Sequence, residues 1–279
     1  MKGMIALDID GTITAHHHHL EPDVIAFLEM LSNEGWTLVF ITGRPFQWGA
    51  STLSGLNFPY LLAVQNGALI LEMPQCNILS TRYLSNTILP TMASICNNEE
   101  TDCVIYSGYN HEDKCYYRPK YFSPALLKYV QKRVKALNED WQPINDFNEL
   151  PISSFASVKC FAKGEIAAQR LAKKMEDELN LHTPIIRDPF DSSVYVLQGT
   201  RADVHKGQAL LDIATLKGNP KPLIAAGDDW NDKSLLEVAD IAIAMETAPK
   251  EIQDLADIIA PAATSNGIIE GLKRALKQC

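Results

Sequence analysis

The chain has 279 residues, enough for two domains or one large one around a substantial core. Its composition, 46% hydrophobic and 21% charged, belongs to a folded globular chain, and a formal net charge of −9 argues against non-specific binding to nucleic acid or anionic membrane, both of which repel an acidic surface. No apolar run approaches the roughly 18 residues of a membrane helix, and only four consecutive apolar residues precede Asp8, too few for a signal-peptide core. Six cysteines (76, 96, 103, 115, 160 and 279) form no CxxC pair, so the expectation is a cytoplasmic chain with reduced thiols and no membrane or nucleic-acid partner.

In chain order, "GMIALDI" reads as a buried strand, and Val24, Phe27, Leu28 and Leu31 recur at helical spacing after Pro22, a favourable first helical residue. "TLVFIT" is a second strand, a shorter helix follows Pro45, and "YLLAVQNG" is a third strand ending at a turn dipeptide. Continuous apolar strands joined by helical crossovers predict a parallel sheet covered on both faces.

From about residue 81 to 198 the texture changes. Helical stretches at 89–96, 124–137 and 165–179 interleave with strand-like "DCVIYS", "ASVKCFA", "TPIIRD" and "SSVYVL", the last two paired like a hairpin. This predicts an inserted α+β domain at 81–198, with 1–80 and 199–279 forming the core. The core pattern then resumes with "HKGQALLDIATL" as helix, "KPLIAAG" as strand, "DKSLLEVA" as helix, "DIAIAM" as strand and "NGIIEGLKRALK" as helix. The fold class is α/β, a Rossmann-like doubly wound core with an insert.

Ligand sites in open α/β sheets lie at the carboxyl ends of the strands. After the predicted strands come "DIDGT" (Asp8, Asp10), "TGR" (Thr42, Gly43, Arg44), "QNGA" (Asn66) and "GDDWND" (Asp228, Asn231, Asp232). Each alone reads as a turn or a helix N-terminus capped by aspartate. Together they point to a metal site, because gathering several carboxylates is unfavourable unless a cation offsets their charge. Carboxylates without thiolates suit a hard cation, and Mg²⁺ typically takes one or two of them and shares its other positions with water and phosphate.

The motifs "DIDGT", "TGR", "QNGA", "HKG" and "GDDWND", in that order, resemble those of the haloacid dehalogenase superfamily, and the insert resembles the large α/β cap (C2B type) of its Cof-type branch, subfamily IIB. The resemblance implies a Mg²⁺-dependent phosphatase acting on a small phosphorylated metabolite, with sugar phosphates the expected class. It implies Asp8 as nucleophile and Asp10 as general acid and then base. Asp8, the Asp10 carbonyl and Asp228 are the implied Mg²⁺ ligands, with Asp232 nearby, directly or through water. Thr42 and the following N–H at Gly43 would hold the phosphoryl group. Lys206 would neutralise it, and Asn66 and Asn231 are further phosphate contacts or turn and capping residues. Arg44 either faces the entrance or caps a surface.

A phosphomutase of the phosphomannomutase type, which needs a second phosphate site in the cap, and a catalytically idle binding module are the alternatives. Arg118, Arg187, Asp188 and the tyrosines at 116 and 117 are the cap residues considered for substrate contact, each also readable as structural. The histidines at 16–19 are read as a solvated loop beside the site, and the chain as a monomer or homodimer.

Overall fold

The computed structural model describes the chain except for residues 1, 16–18, 98, 100, 138, 189 and 190. Three of the four adjacent histidines, His16 to His18, thus lie outside the described residues, and His19 is exposed. The chain divides into two compact units, residues 1–81 with 204–279 and residues 82–203. The second boundary falls at 203/204 rather than the expected 198/199. The strand Val194–Arg201 remains hydrogen-bonded inside the insert to its last residue, where Arg201 pairs with Leu181.

The first unit is built on a sheet of eight strands, in the order Ile258–Ala260, Ile241–Met245, Leu223–Gly227, Gly3–Leu7, Trp36–Ile41, Tyr60–Val64, Leu69–Met73, Asn77–Thr81. The first six are parallel, as their helical crossovers require. The last two add antiparallel to one edge, so the sheet is mixed and not purely parallel. The hairpin turns at 74–76, and the sequence pattern left these twelve or so residues unassigned because two five-residue strands carry little periodicity.

The central strands Gly3–Leu7, Tyr60–Val64 and Leu223–Gly227 are buried along their whole length, which is why they read as unbroken apolar runs. Side chains alternate between the faces. Met4, Ala6, Val39, Ile41 and Ala225 pack against Leu210, Ile213, Leu235 and Ile252, from the helices Lys206–Leu216, Lys233–Glu237 and Lys250–Gln253. The helices Pro22–Asn33 and Gly267–Leu276 contact each other and the sheet.

The second unit has its own sheet. Val194–Arg201, Ser157–Lys163, Cys103–Tyr106 and Cys115–Tyr117 run antiparallel in that order, Trp141–Pro143 adds parallel at one end, and Ile185–Arg187 pairs beside Val194–Arg201 as the expected hairpin. The helices Leu89–Asn97 and Glu165–Leu179 share one apolar cluster with the sheet, and Pro124–Leu137 shares another. Among the described residues no helix is long and apolar enough to cross a membrane.

One residue ties the third core strand to the helix that starts at Lys206. Gly67 has φ +104°, and a Cβ there would lie 2.6 Å from the Ala209 Cβ, so only glycine allows this approach. Gly67→Ala is expected to lower the stability of the chain by about 1–3 kcal/mol through overpacking and left-handed strain. The check is the midpoint of denaturant unfolding, and an unchanged midpoint would mean that the helix yields without penalty.

Candidate active site

Asp8 follows the first strand directly, at the carboxyl end of the parallel sheet, and is buried with 5% of its surface exposed. Lys206, the first residue of its helix, reaches across with its ammonium 2.5 Å from Asp8 Oδ1 and 2.5 Å from Asp232 Oδ1. The helix is started by His205, whose Nδ1 accepts the Gln208 N–H at 3.2 Å. Carboxylate oxygens of Asp8, Asp228 and Asp232 all lie within 4.8 Å of one another. Three of the expected metal residues and the expected lysine are therefore in one place.

The loop after the strand Leu223–Gly227 divides its carboxylates between structure and site. Asp229 is a capping residue, accepting the Trp230 N–H at 2.8 Å. Asp232 also closes the loop, with Oδ2 accepting the N–H groups of Asp228 (3.0 Å) and Asp229 (3.1 Å), while its other oxygen holds Lys206. Asp228 Oδ1 accepts the Thr12 hydroxyl at 3.1 Å, a contact across 216 residues that the sequence did not reveal. Gly11, at φ +73°, leaves room for it, since a Cβ there would lie 2.1 Å from Asp228 Oδ2. Asn231 is partly exposed in the same turn, and its side chain hydrogen-bonds to none of the described residues.

Asp10 is placed differently. Its carboxylate lies outside the cluster, turned to Arg44, which donates Nε to Oδ2 at 2.7 Å and Nη2 to Oδ1. Arg44 neither faces an entrance nor caps a surface. It is 4% exposed and lies over the Trp48 ring, its guanidinium carbon 4.7 Å from the ring centre. The sequence signal was an aromatic residue four positions after Arg44, in the short helix Phe46–Thr52 that follows it.

Thr42 ends the second strand, buried, its hydroxyl oxygen accepting the Arg44 N–H at 3.2 Å, with Gly43 partly exposed beside it. The Thr42 carbonyl accepts the Asn66 N–H at 2.8 Å, which joins the second and third strand ends. Asn66 is 1% exposed at φ 59°, and neither end of its carboxamide has a hydrogen-bond partner. Among the described residues nothing satisfies this buried carboxamide, which is unfavourable for packing alone.

The electrostatics follow from the crowding. Burial, then the charges of Asp232 and Asp228, raise the Asp8 carboxyl well above the usual range, against the opposing pull of Lys206. Burial and Asp232 push Asp228 up to about 8. Burial works against the Lys206 ammonium, but Asp232 and Asp8 outweigh it and hold it charged. One cation faces three carboxylates, all hard oxygen donors, and a divalent cation fits this donor set by its chemistry.

The sequence matches the haloacid dehalogenase-like hydrolase family over residues 5–272. It is 23% identical over 278 residues to a putative phosphatase, YxeH, of Bacillus subtilis, covering 98% of this chain and 97% of that one. It is 24% identical over 293 residues to the phosphatase YwpJ of the same organism, covering 98% and 99%. The fold is similar to that of a sugar phosphatase of subclass IIB, BT4131, with a TM-score of 0.74 at 17% identity and 98% coverage of both chains. The chain belongs to the haloacid dehalogenase-like hydrolases, in their Cof-type branch, and is an enzyme of the phosphatase class.

Two outcomes are expected. Lys206→Met leaves Asp8 and Asp232 buried without their cation and lowers stability by about 3–5 kcal/mol, read from denaturant unfolding; a loss below about 1 kcal/mol would place the ammonium in solvent instead. The raised carboxyls carry a stabilising proton in the metal-free fold below their unfolded value near 4, a contribution lost as pH rises through about 8. A divalent cation competes with that proton, so the increase in Tm produced by Mg²⁺ is expected to grow from about pH 6 to about pH 9 and to vanish in Asp228→Asn. An increase independent of pH would separate these carboxylates from the cation.

Proposed function

We propose that the enzyme hydrolyses phosphomonoesters of small metabolites, with sugar phosphates as the substrate class, through an aspartyl-phosphate on Asp8. The observation that carries this reading is the buried Asp8 carboxylate, held by Lys206 at 2.5 Å beside Asp228 and Asp232 at the end of the parallel sheet. Mg²⁺ fits the carboxylate donors of Asp8, Asp228 and Asp232 with the Asp10 carbonyl, and when bound it neutralises the phosphoryl oxygens that otherwise repel a carboxylate.

The residues of the chain then divide the work. Lys206 fixes Asp8 through Oδ1, leaving Oδ2 to attack phosphorus, forming the Asp8 oxygen–phosphorus bond as the ester bond breaks. The Asp10 carboxyl gives its proton to the departing alkoxide. It then takes a proton from water, which attacks phosphorus and returns Asp8 as a carboxylate. The Thr42 hydroxyl accepts from Arg44 N–H and so keeps its own proton for a phosphoryl oxygen. The Gly43 N–H and the unpartnered Asn66 carboxamide are the neighbouring donors assigned to the same group. Asn231 joins them only through rotation of a partly exposed side chain.

Residues 82–203 are read as the inserted cap. A mutase needs cap arginines free for a second phosphate, and the arginines of this unit are engaged. Arg118 is bidentate to Asp102 (2.9 and 2.8 Å), Arg133 bonds Asp188 (3.3 Å), Arg170 bonds Glu99, and Arg82 and Arg201 bond Asp203. Arg187 donates to the Ser192 carbonyl at 2.9 Å. This supports hydrolysis over phosphoryl transfer between positions. It also makes Arg118 and Asp188 structural, and Tyr116 is likewise buried and Tyr117 packs on Trp141.

The test is phosphate release from a panel of sugar phosphates and other small phosphomonoesters. Wild type with Mg²⁺ is expected to release phosphate, and Asp8→Asn to lose at least about 10³-fold of that rate. Release that persists in Asp8→Asn would remove the aspartyl-phosphate, and interconversion of hexose phosphates without net release would favour the mutase.

A further inference from the structure

The fork between Arg44 and Asp10 is the most completely determined polar contact of the first unit that the proposed chemistry does not yet use. Both carboxylate oxygens of Asp10 are engaged, by Nε at 2.7 Å and by Nη2. The third nitrogen, Nη1, donates to the Thr52 hydroxyl at 2.5 Å, and that hydroxyl donates to the Trp48 carbonyl at 3.1 Å. The Trp48 ring supports the guanidinium from one side. The main chain is tied as well, with Arg44 N–H on the Thr42 hydroxyl oxygen and the Arg44 carbonyl accepting Gln65 N–H at 3.0 Å.

The two partners are unequally fixed. The Arg44 side chain is 4% exposed, while that of Asp10 is 44% exposed. Asp10 stands just before Gly11, whose φ of +73° turns the chain. A planar guanidinium that meets both oxygens sets the plane of the carboxylate as well as its position, which a point charge does not.

We infer that Arg44 is a positioning residue that acts through Asp10: its anchored guanidinium orients the Asp10 carboxylate for proton transfer and couples that orientation to the phosphoryl-binding end of the second strand. The inference rests on the proposed phosphatase reading, in which Asp10 gives and then takes the proton. The cost of disorienting a group that must meet its partner within hydrogen-bond distance is large even when the fold is intact. Arg44→Met is expected to lower kcat on a sugar phosphate on the order of 10- to 100-fold with KM changed by less than about 3-fold.

The discriminating readout is the leaving group. A sugar alkoxide needs a proton as it departs, whereas p-nitrophenolate does not. The burst of p-nitrophenol from p-nitrophenyl phosphate should therefore slow by less than about 3-fold in Arg44→Met, while the first turnover of the sugar phosphate slows by the full factor. In the Asp10→Asn background the same substitution should add nothing. Arg44→Lys, which keeps the charge and loses the fork, should recover only part of the rate. Where Arg44→Met folds poorly, Thr52→Val, which removes only the anchor of Nη1, carries the same comparison.

Equal slowing of both esters, or a loss that adds to that of Asp10→Asn, would overturn the inference and leave Arg44 as a packing residue. Both results presuppose that Asp8→Asn abolishes release. Release surviving that substitution refutes the phosphatase reading and this inference with it, so the two failures are told apart by the Asp8 variant.

Discussion

The carboxyl end of the core sheet depends on one buried contact, the Lys206 ammonium between Asp8 and Asp232. All three side chains are at least nine-tenths buried, so each charge has left water and must be repaid by its partners. The contact also closes the fold, because it joins residue 8 to residue 206 and residue 206 to residue 232, and so fastens the first strand to elements from the far end of the chain. The insert between them, residues 82–203, leaves and re-enters this framework without supplying any of the three.

That contact explains how one short loop serves two purposes. The sequence "GDDWND" has a capping and a ligand reading, and the structure divides them by residue. Asp229 caps, Asp228 turns to Thr12 and the carboxylate cluster, and Asp232 closes the loop with one oxygen and holds Lys206 with the other. A carboxylate has about four lone-pair directions, so closing the loop does not exhaust Asp232. No rule of local sequence chooses between capping and ligation here, because the choice is made by Lys206, which arrives from 26 residues upstream.

The same division runs through what the sequence disclosed. Periodicity located five of the six parallel strands and the long helices of both units, since buried strands must be apolar throughout and helices show a 3.6-residue stripe, and it missed the three-residue parallel strand Ile258–Ala260. It missed the Leu69–Thr81 hairpin region and the three-residue strands Cys115–Tyr117 and Trp141–Pro143, which are too short for a repeat to appear. Residues at strand ends were legible because polar groups interrupt apolar runs there. Their pairings were not. Arg44 looked like a surface residue because its partner lies 34 positions away, and the vacant bonding of Asn66 is a property of packing that no composition reveals.

Charge balance connects these separate facts. Arg44 matches the charge of Asp10, beside the cluster. Lys206 matches the charge of only one of Asp8, Asp228 and Asp232, and burial together with the surplus raises the carboxyls of Asp8 and Asp228. Protons kept on these carboxyls relieve the surplus in the metal-free fold. A divalent cation would offset the same surplus without protons, which is the chemical sense in which these three oxygen donors fit one. The excess of carboxylates over cations thus ties the protonation of Asp8 and Asp228 to any cation that enters the cluster.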